Sequence, residues 1–219
     1  MKKVNKTRVG LDNLNLKKLR YELAKNVFKL DGGLIMIHHK YYVGHYNEHP
    51  YAIKLANETF DAKKKELEEA KSKNDLSSIW VVTRPYRVPY VYDALQDWWK
   101  PDAKTYWDLI RYLWTDTENV YEHLDYWDVL LNGYFVNDRH LIMSKDDKKY
   151  FDKLPNKINI FRGGVDDKGC SWTLDKSRAE WFANRFNRGY EVYEKTINKS
   201  DAIAYISDRN EDEIIYIGS

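Results

Sequence analysis

The sequence predicts an α+β protein, helix-rich in its first two thirds and mostly sheet in its last third. Two observations carry this. Apolar residues recur at helical spacing before residue 150, and short apolar runs between turn residues dominate after residue 155. Elements that segregate along the chain, rather than alternate, indicate α+β and not a doubly wound α/β sheet. The expected division follows the same break. Residues 1–150 form a helix-rich region for packing, target or partner recognition, and residues 151–219 form a sheet.

The elements follow in order. Leu16, Leu19, Leu23, Val27 and Leu30 recur every three or four residues, which predicts an amphipathic helix over 11–30, stopped by Asp31-Gly32-Gly33. LIMI (34–37) reads as a strand. Residues 51–73 read as a long charged helix with Ile53, Phe60 and Leu67 seven apart. SSIWVVT (77–83) reads as a strand, and RPYRVPY (84–90), with two prolines, as non-helical. Trp107, Ile110 and Trp114 fit one helix, capped by Asp102. Tyr121, Leu124 and Leu131 fit another, and Ser144 caps a third that Pro155 ends.

Beyond residue 155, INIFRGG (158–164) and GCSWTLD (169–175) read as strands. Residues 175–186 read as a helix capped by Asp175, with Ala179, Phe182, Ala183 and Phe186 on one face. YEVYEKTI (190–197), AIAYI (202–206) and EIIYI (213–217) read as strands, with DRNEDE (208–213) a polar turn before the last.

Composition bounds the possibilities. The chain has 219 residues, 43% hydrophobic and 32% charged, which suits a globular protein and not a disordered one. The 18 Tyr, 8 Trp and 7 Phe supply large buried contacts. A net charge of +2 is too mild to announce a nucleic-acid binder, although residues 1–30 hold nine Lys or Arg against Asp12 and Glu22. One cysteine, Cys170, allows no internal disulfide and suits a reducing cytoplasm, with neither a signal peptide nor a membrane span expected. His38, His39, His45 and His49 lack metal-ligand spacing, so no metal is expected.

Three features of the last third form a chemical set. Arg162 ends a strand beside Gly163 and Gly164, Ser171-Trp172-Thr173 follows, and Glu211-Asp212-Glu213 opens the last strand. An arginine offers a bidentate fork to phosphate, and glycines admit a ligand to the backbone. A serine hydroxyl orients a carboxylate or a sugar hydroxyl. On an extended strand Glu211 and Glu213 would share a face. There one could stabilise positive charge while the other handles a proton. Such a set suits cleavage of an N-glycosidic bond through an oxocarbenium-like state.

In this order the motifs resemble the R-S-E class of ADP-ribosyltransferases, toxin-like mono-ADP-ribosyltransferases, over roughly residues 155–217. The resemblance implies an ADP-ribosyltransferase-like split β-sheet and NAD+ as substrate without a metal. It makes Glu213 the catalytic glutamate on the ribose 2′-hydroxyl, and Glu211 the group that orients or deprotonates the acceptor. Arg162, Gly163, Ser171, Trp172 and Thr173 would form the NAD+ site, with Trp172 or Phe182 near the nicotinamide. Ser207, Asp208, Arg209 and Asn210 would be the target loop. The acceptor would be a protein arginine or a nucleic acid, and a neutralising partner protein and action in the cytoplasm would fit. Two other functions stay open: a basic, aromatic-rich module that holds RNA or single-stranded DNA by stacking and phosphate contacts, and a structural or inhibitory protein on a degenerate transferase scaffold.

Overall fold

The computed structural model describes residues 14–118, 120–185 and 189–218, without the Arg209 side chain. The first thirteen residues of the expected basic arm (1–30), and Phe186, therefore lie outside the described residues. The chain divides into two compact units, Met1–Lys100 and Pro101–Ser219. The boundary expected near residue 150 falls inside the second unit, where the helices after Pro101 pack with the last-third sheet. Among the described residues, no helix is long and apolar enough to cross a membrane.

The first unit holds α1 (Tyr21–Ala24), a three-stranded antiparallel sheet, β1 (Val27–Lys29), β2 (Ile35–His39) and β3 (Tyr42–His45), then α2 (Pro50–Ser72) and α3 (Arg87–Asp97). The helix expected over 11–30 is only one turn of α-helix. Val27–Lys29 instead pairs with Ile35–Ile37, since a hairpin across Asp31-Gly32-Gly33 satisfies more backbone than a short solvent-facing helix end. Residues Ser77–Val81 form a 3₁₀ turn and not a strand. Arg87 Nε donates to the Val82 carbonyl at 2.9 Å and Nη2 to the Trp80 carbonyl at 2.7 Å, occupying groups that a sheet partner would need. Pro89 sits in the first turn of α3, where a missing N–H costs nothing. The histidines serve locally. His49 Nδ1 accepts from the Tyr51 N–H at the start of α2, and His38 Nδ1 pairs with the Tyr86 hydroxyl at 2.6 Å.

The second unit holds α4 (Ala103–Asp116), α5 (Leu124–Asn132) and α6 (Lys145–Lys153). They are followed by β4 (Lys157–Gly164), β5 (Ser171–Thr173), α7 (Lys176–Asn184), β6 (Glu191–Asn198), β7 (Ala204–Ile206) and β8 (Glu213–Ile215). The strands form one antiparallel sheet in the order β6-β4-β5-β8-β7. Asp102 caps α4 through Thr105 N–H at 2.8 Å, and Ser144 with Asp147 closes a capping box on α6.

Alternation assigns the two faces of this sheet. Ile158, Ile160, Trp172, Tyr205 and Ile214 form one buried cluster, packed by Met143, Phe151 and Leu154 around α6. Cross-strand pairs place Ser171, Thr173, Glu213 and Ile215 on the other face. α7 crosses β4 closely. A Cβ on Gly163 would lie 2.0 Å from the Ala179 carbonyl oxygen and 2.6 Å from the Ala183 nitrogen.

Candidate functional site

β8 carries Glu213 between β5 and β7, with only 4% of its surface exposed. A carboxylate this deep requires donors. Ser171 Oγ donates to Glu213 Oε1 in a very short hydrogen bond, across the diagonal of the β5–β8 pair. Trp114 Nε1, from the buried stripe of α4, donates to Glu213 Oε2 at 2.9 Å. Each carboxylate oxygen thus has its own donor.

Arg162 stands differently. Phe161 pairs with Thr173, so alternation turns Arg162 to the Trp172 face of the sheet, opposite Glu213. Its Nη1 donates to the Ser171 carbonyl at 2.8 Å and its Nε to the Asp166 carbonyl at 3.3 Å. The guanidinium is therefore linked to the candidate glutamate through the Ser171 backbone and hydroxyl, and Nη2 makes no hydrogen bond among the described residues. Burial lowers its pKa from the ordinary value, yet it stays a cation. Gly169 fits against it: a Cβ there would lie 2.0 Å from the guanidinium carbon.

Several sequence expectations are corrected here. Gly163 does not open the backbone to a ligand, because α7 fills that space. Trp172 is 2% exposed in the core cluster and donates to the Gly169 carbonyl at 2.8 Å, so it is packing and no ligand platform. Thr173 holds the backbone, donating to the Glu211 carbonyl at 2.7 Å and accepting from Asp175 N–H at 3.0 Å. Glu211 and Glu213 are not related by strand alternation. Glu211 has helical backbone angles and Asp212 is left-handed at φ 44°, so β8 begins only at Glu213. Asn210 is left-handed too, at φ 54°. Asn and Asp tolerate that region best after glycine.

The Ser207–Asn210 loop is tied inward at several points. Ser207 Oγ donates to Asp147 Oδ1 at 2.6 Å, and Arg111 Nη2 lies 2.8 Å from Asp147 Oδ2 and 3.0 Å from Asp208 Oδ1. Arg178 Nη2 donates to the Asn210 carbonyl at 2.7 Å, and the Tyr205 hydroxyl to Asp212 Oδ1 at 2.5 Å. Burial pushes the Asp147 carboxyl up, but the donors Ser207, Ser144 and Arg111 outweigh this and hold it below the ordinary aspartate value.

No family model matches the chain, and neither a curated protein nor a solved structure matches it.

The site is therefore read from its own residues. Burial pushes the Cys170 thiol up to about 12, so it is no nucleophile at neutral pH despite its place beside Ser171. No group of three His, Cys, Asp or Glu side chains suited to a metal occurs among the described residues. Sequence reasoning missed Trp114, Arg111 and Asp147. Trp114 lies on the apolar stripe of α4 and reads as core. Only its indole N–H, which needs an acceptor when buried, signals more.

Proposed function

We propose that the second unit is a mono-ADP-ribosyltransferase of the R-S-E type, built on a split sheet, that uses NAD+ and modifies a protein or nucleic-acid acceptor. The observation that supports this most is the Ser171–Glu213 hydrogen bond across adjacent strands, with Arg162 on the Ser171 carbonyl. In this reading Glu213 accepts a hydrogen bond from the 2′-hydroxyl of the nicotinamide ribose. The bond from C1′ to the nicotinamide nitrogen breaks, its electron pair leaving with nicotinamide. Glu213 offsets the positive charge that develops on the sugar. The acceptor then bonds to C1′ and gives up its proton to Glu211, two residues before Glu213 in the chain. Arg162 Nη2 is available for a phosphate oxygen.

The test is labelled NAD+ incubated with protein and cell lysate, the products separated into protein and nucleic-acid fractions, with Glu213→Gln beside the wild type. Label in one fraction with wild type only supports the transferase and identifies the acceptor class. Absence of both turnover and NAD+ binding would overturn it.

One observation favours a second reading, an interaction protein on a degenerate scaffold. Glu213 is buried with both oxygens occupied, and Arg162 lies on the opposite sheet face. NAD+ binding without cleavage in the same experiment would select it.

A further inference from the structure

We infer that Trp114 is a positioning residue for Glu213, a part of the site contributed by α4 and absent from the three-motif set. The inference rests on the reading of Glu213 as the catalytic carboxylate. A glutamate ends in a soft, two-fold torsion, so a carboxylate tied at one oxygen still rotates. Ser171 ties Oε1 and the Trp114 indole ties Oε2 at 2.9 Å. The indole is a donor only, so its bond also fixes what that oxygen must be: an acceptor. Trp114 is fully buried and cannot swing away, and α4 is held at its start by the Asp102 cap. A carboxylate held by two rigid donors meets a reacting sugar without first reorganising.

The rival explanation is that Trp114 merely fills space. The structure supplies a matched control. Trp127 of α5 packs edge-to-face on Trp114, with ring centroids 5.0 Å apart, and is also fully buried. Its Nε1 has no hydrogen-bond partner among the described residues. Trp127→Phe and Trp114→Phe thus remove the same atoms from neighbouring places. Only the second removes a bond to Glu213.

The experiment is steady-state NAD+ cleavage by wild type, Glu213→Gln, Trp114→Phe and Trp127→Phe, with thermal melts of each. Indole N–H resonances are recorded for wild type and Glu213→Gln. Trp114→Phe should lower kcat about tenfold or more while the KM for NAD+ stays within about twofold, and Trp127→Phe should keep kcat within about twofold. The indole resonance lost in Trp114→Phe should be the one that moves in Glu213→Gln. Equal kcat in the two Phe variants, or an unmoved resonance, overturns the positioning role while wild-type turnover keeps the function. Absence of wild-type turnover overturns the function and this inference with it.

Discussion

Arg111 and Asp147 form an ion pair at 2.8 Å in which the aspartate is 1% exposed, joining α4 to the first turn of α6. The same aspartate accepts the Ser207 hydroxyl, so one buried charge fixes two helices and the loop before β8.

Asp147→Asn should therefore destabilise the protein by about 3–5 kcal/mol in urea unfolding, the usual range for breaking a buried pair. The pH dependence has a definite sign. The native carboxyl is held below its unfolded value of about 3.9, so its stabilisation is present above that pH and fades as pH falls through the native value. The acid side of the stability profile should be shallower in Asp147→Asn than in wild type.

Gly163→Ala should be costly, about 2 kcal/mol or more, because the added methyl meets α7 backbone that has no rotamer to escape into. Gly164→Ala, whose nearest neighbours lie 3.5 Å away or more, should cost far less. Parallel thermal melts check the contrast. Similar melting points for the two variants would contradict the packing account.

Gly169→Ala should separate stability from function. Its methyl would strike the Arg162 guanidinium, the movable end of a flexible side chain. The melting point should change little, while on the proposed function NAD+ affinity should fall because Arg162 leaves the Ser171 carbonyl. Calorimetric titration with NAD+ measures this, and unchanged affinity would remove Arg162 from the site.

Cys170 should resist alkylation. With its thiol pushed up to about 12 and 3% exposed, native protein at pH 8 should react with a disulfide reagent at least about a hundredfold more slowly than denatured protein. Fast native labelling would show that the strand end opens readily.

The legible parts of the fold were those with local causes. α2, the Asp102 and Ser144 caps, and the strands from β4 to β8 follow from spacing and turn chemistry in the segments themselves. Val27–Lys29 was misread because its leucine period suits a helix, while its pairing with β2 is a non-local gain that periodicity does not register. Ser77–Val81 was misread because Ile79, Val81 and Val82 favour strands, yet Arg87 claims the carbonyls. Ser171 and Glu213 were singled out by their motifs, and a hydrogen bond joins them. Trp114 was not, since 99 residues separate it from Glu213 and a buried tryptophan looks alike whether or not it holds a carboxylate. The relation of Glu211 to Glu213 was misjudged because a left-handed Asp212 breaks the alternation.

The sheet order also bears on how the chain is made. β7 is an edge strand whose sole neighbour among the described residues is β8, yet β8 follows it from the ribosome. Until residues 213–215 emerge, β7 has no place in the sheet, β5 exposes a bare edge, and the indole of Trp114 has no carboxylate to meet. On the proposed function, a nascent chain halted before β8 would lack the carboxylate that Ser171 and Trp114 hold, so that capacity waits on this one strand.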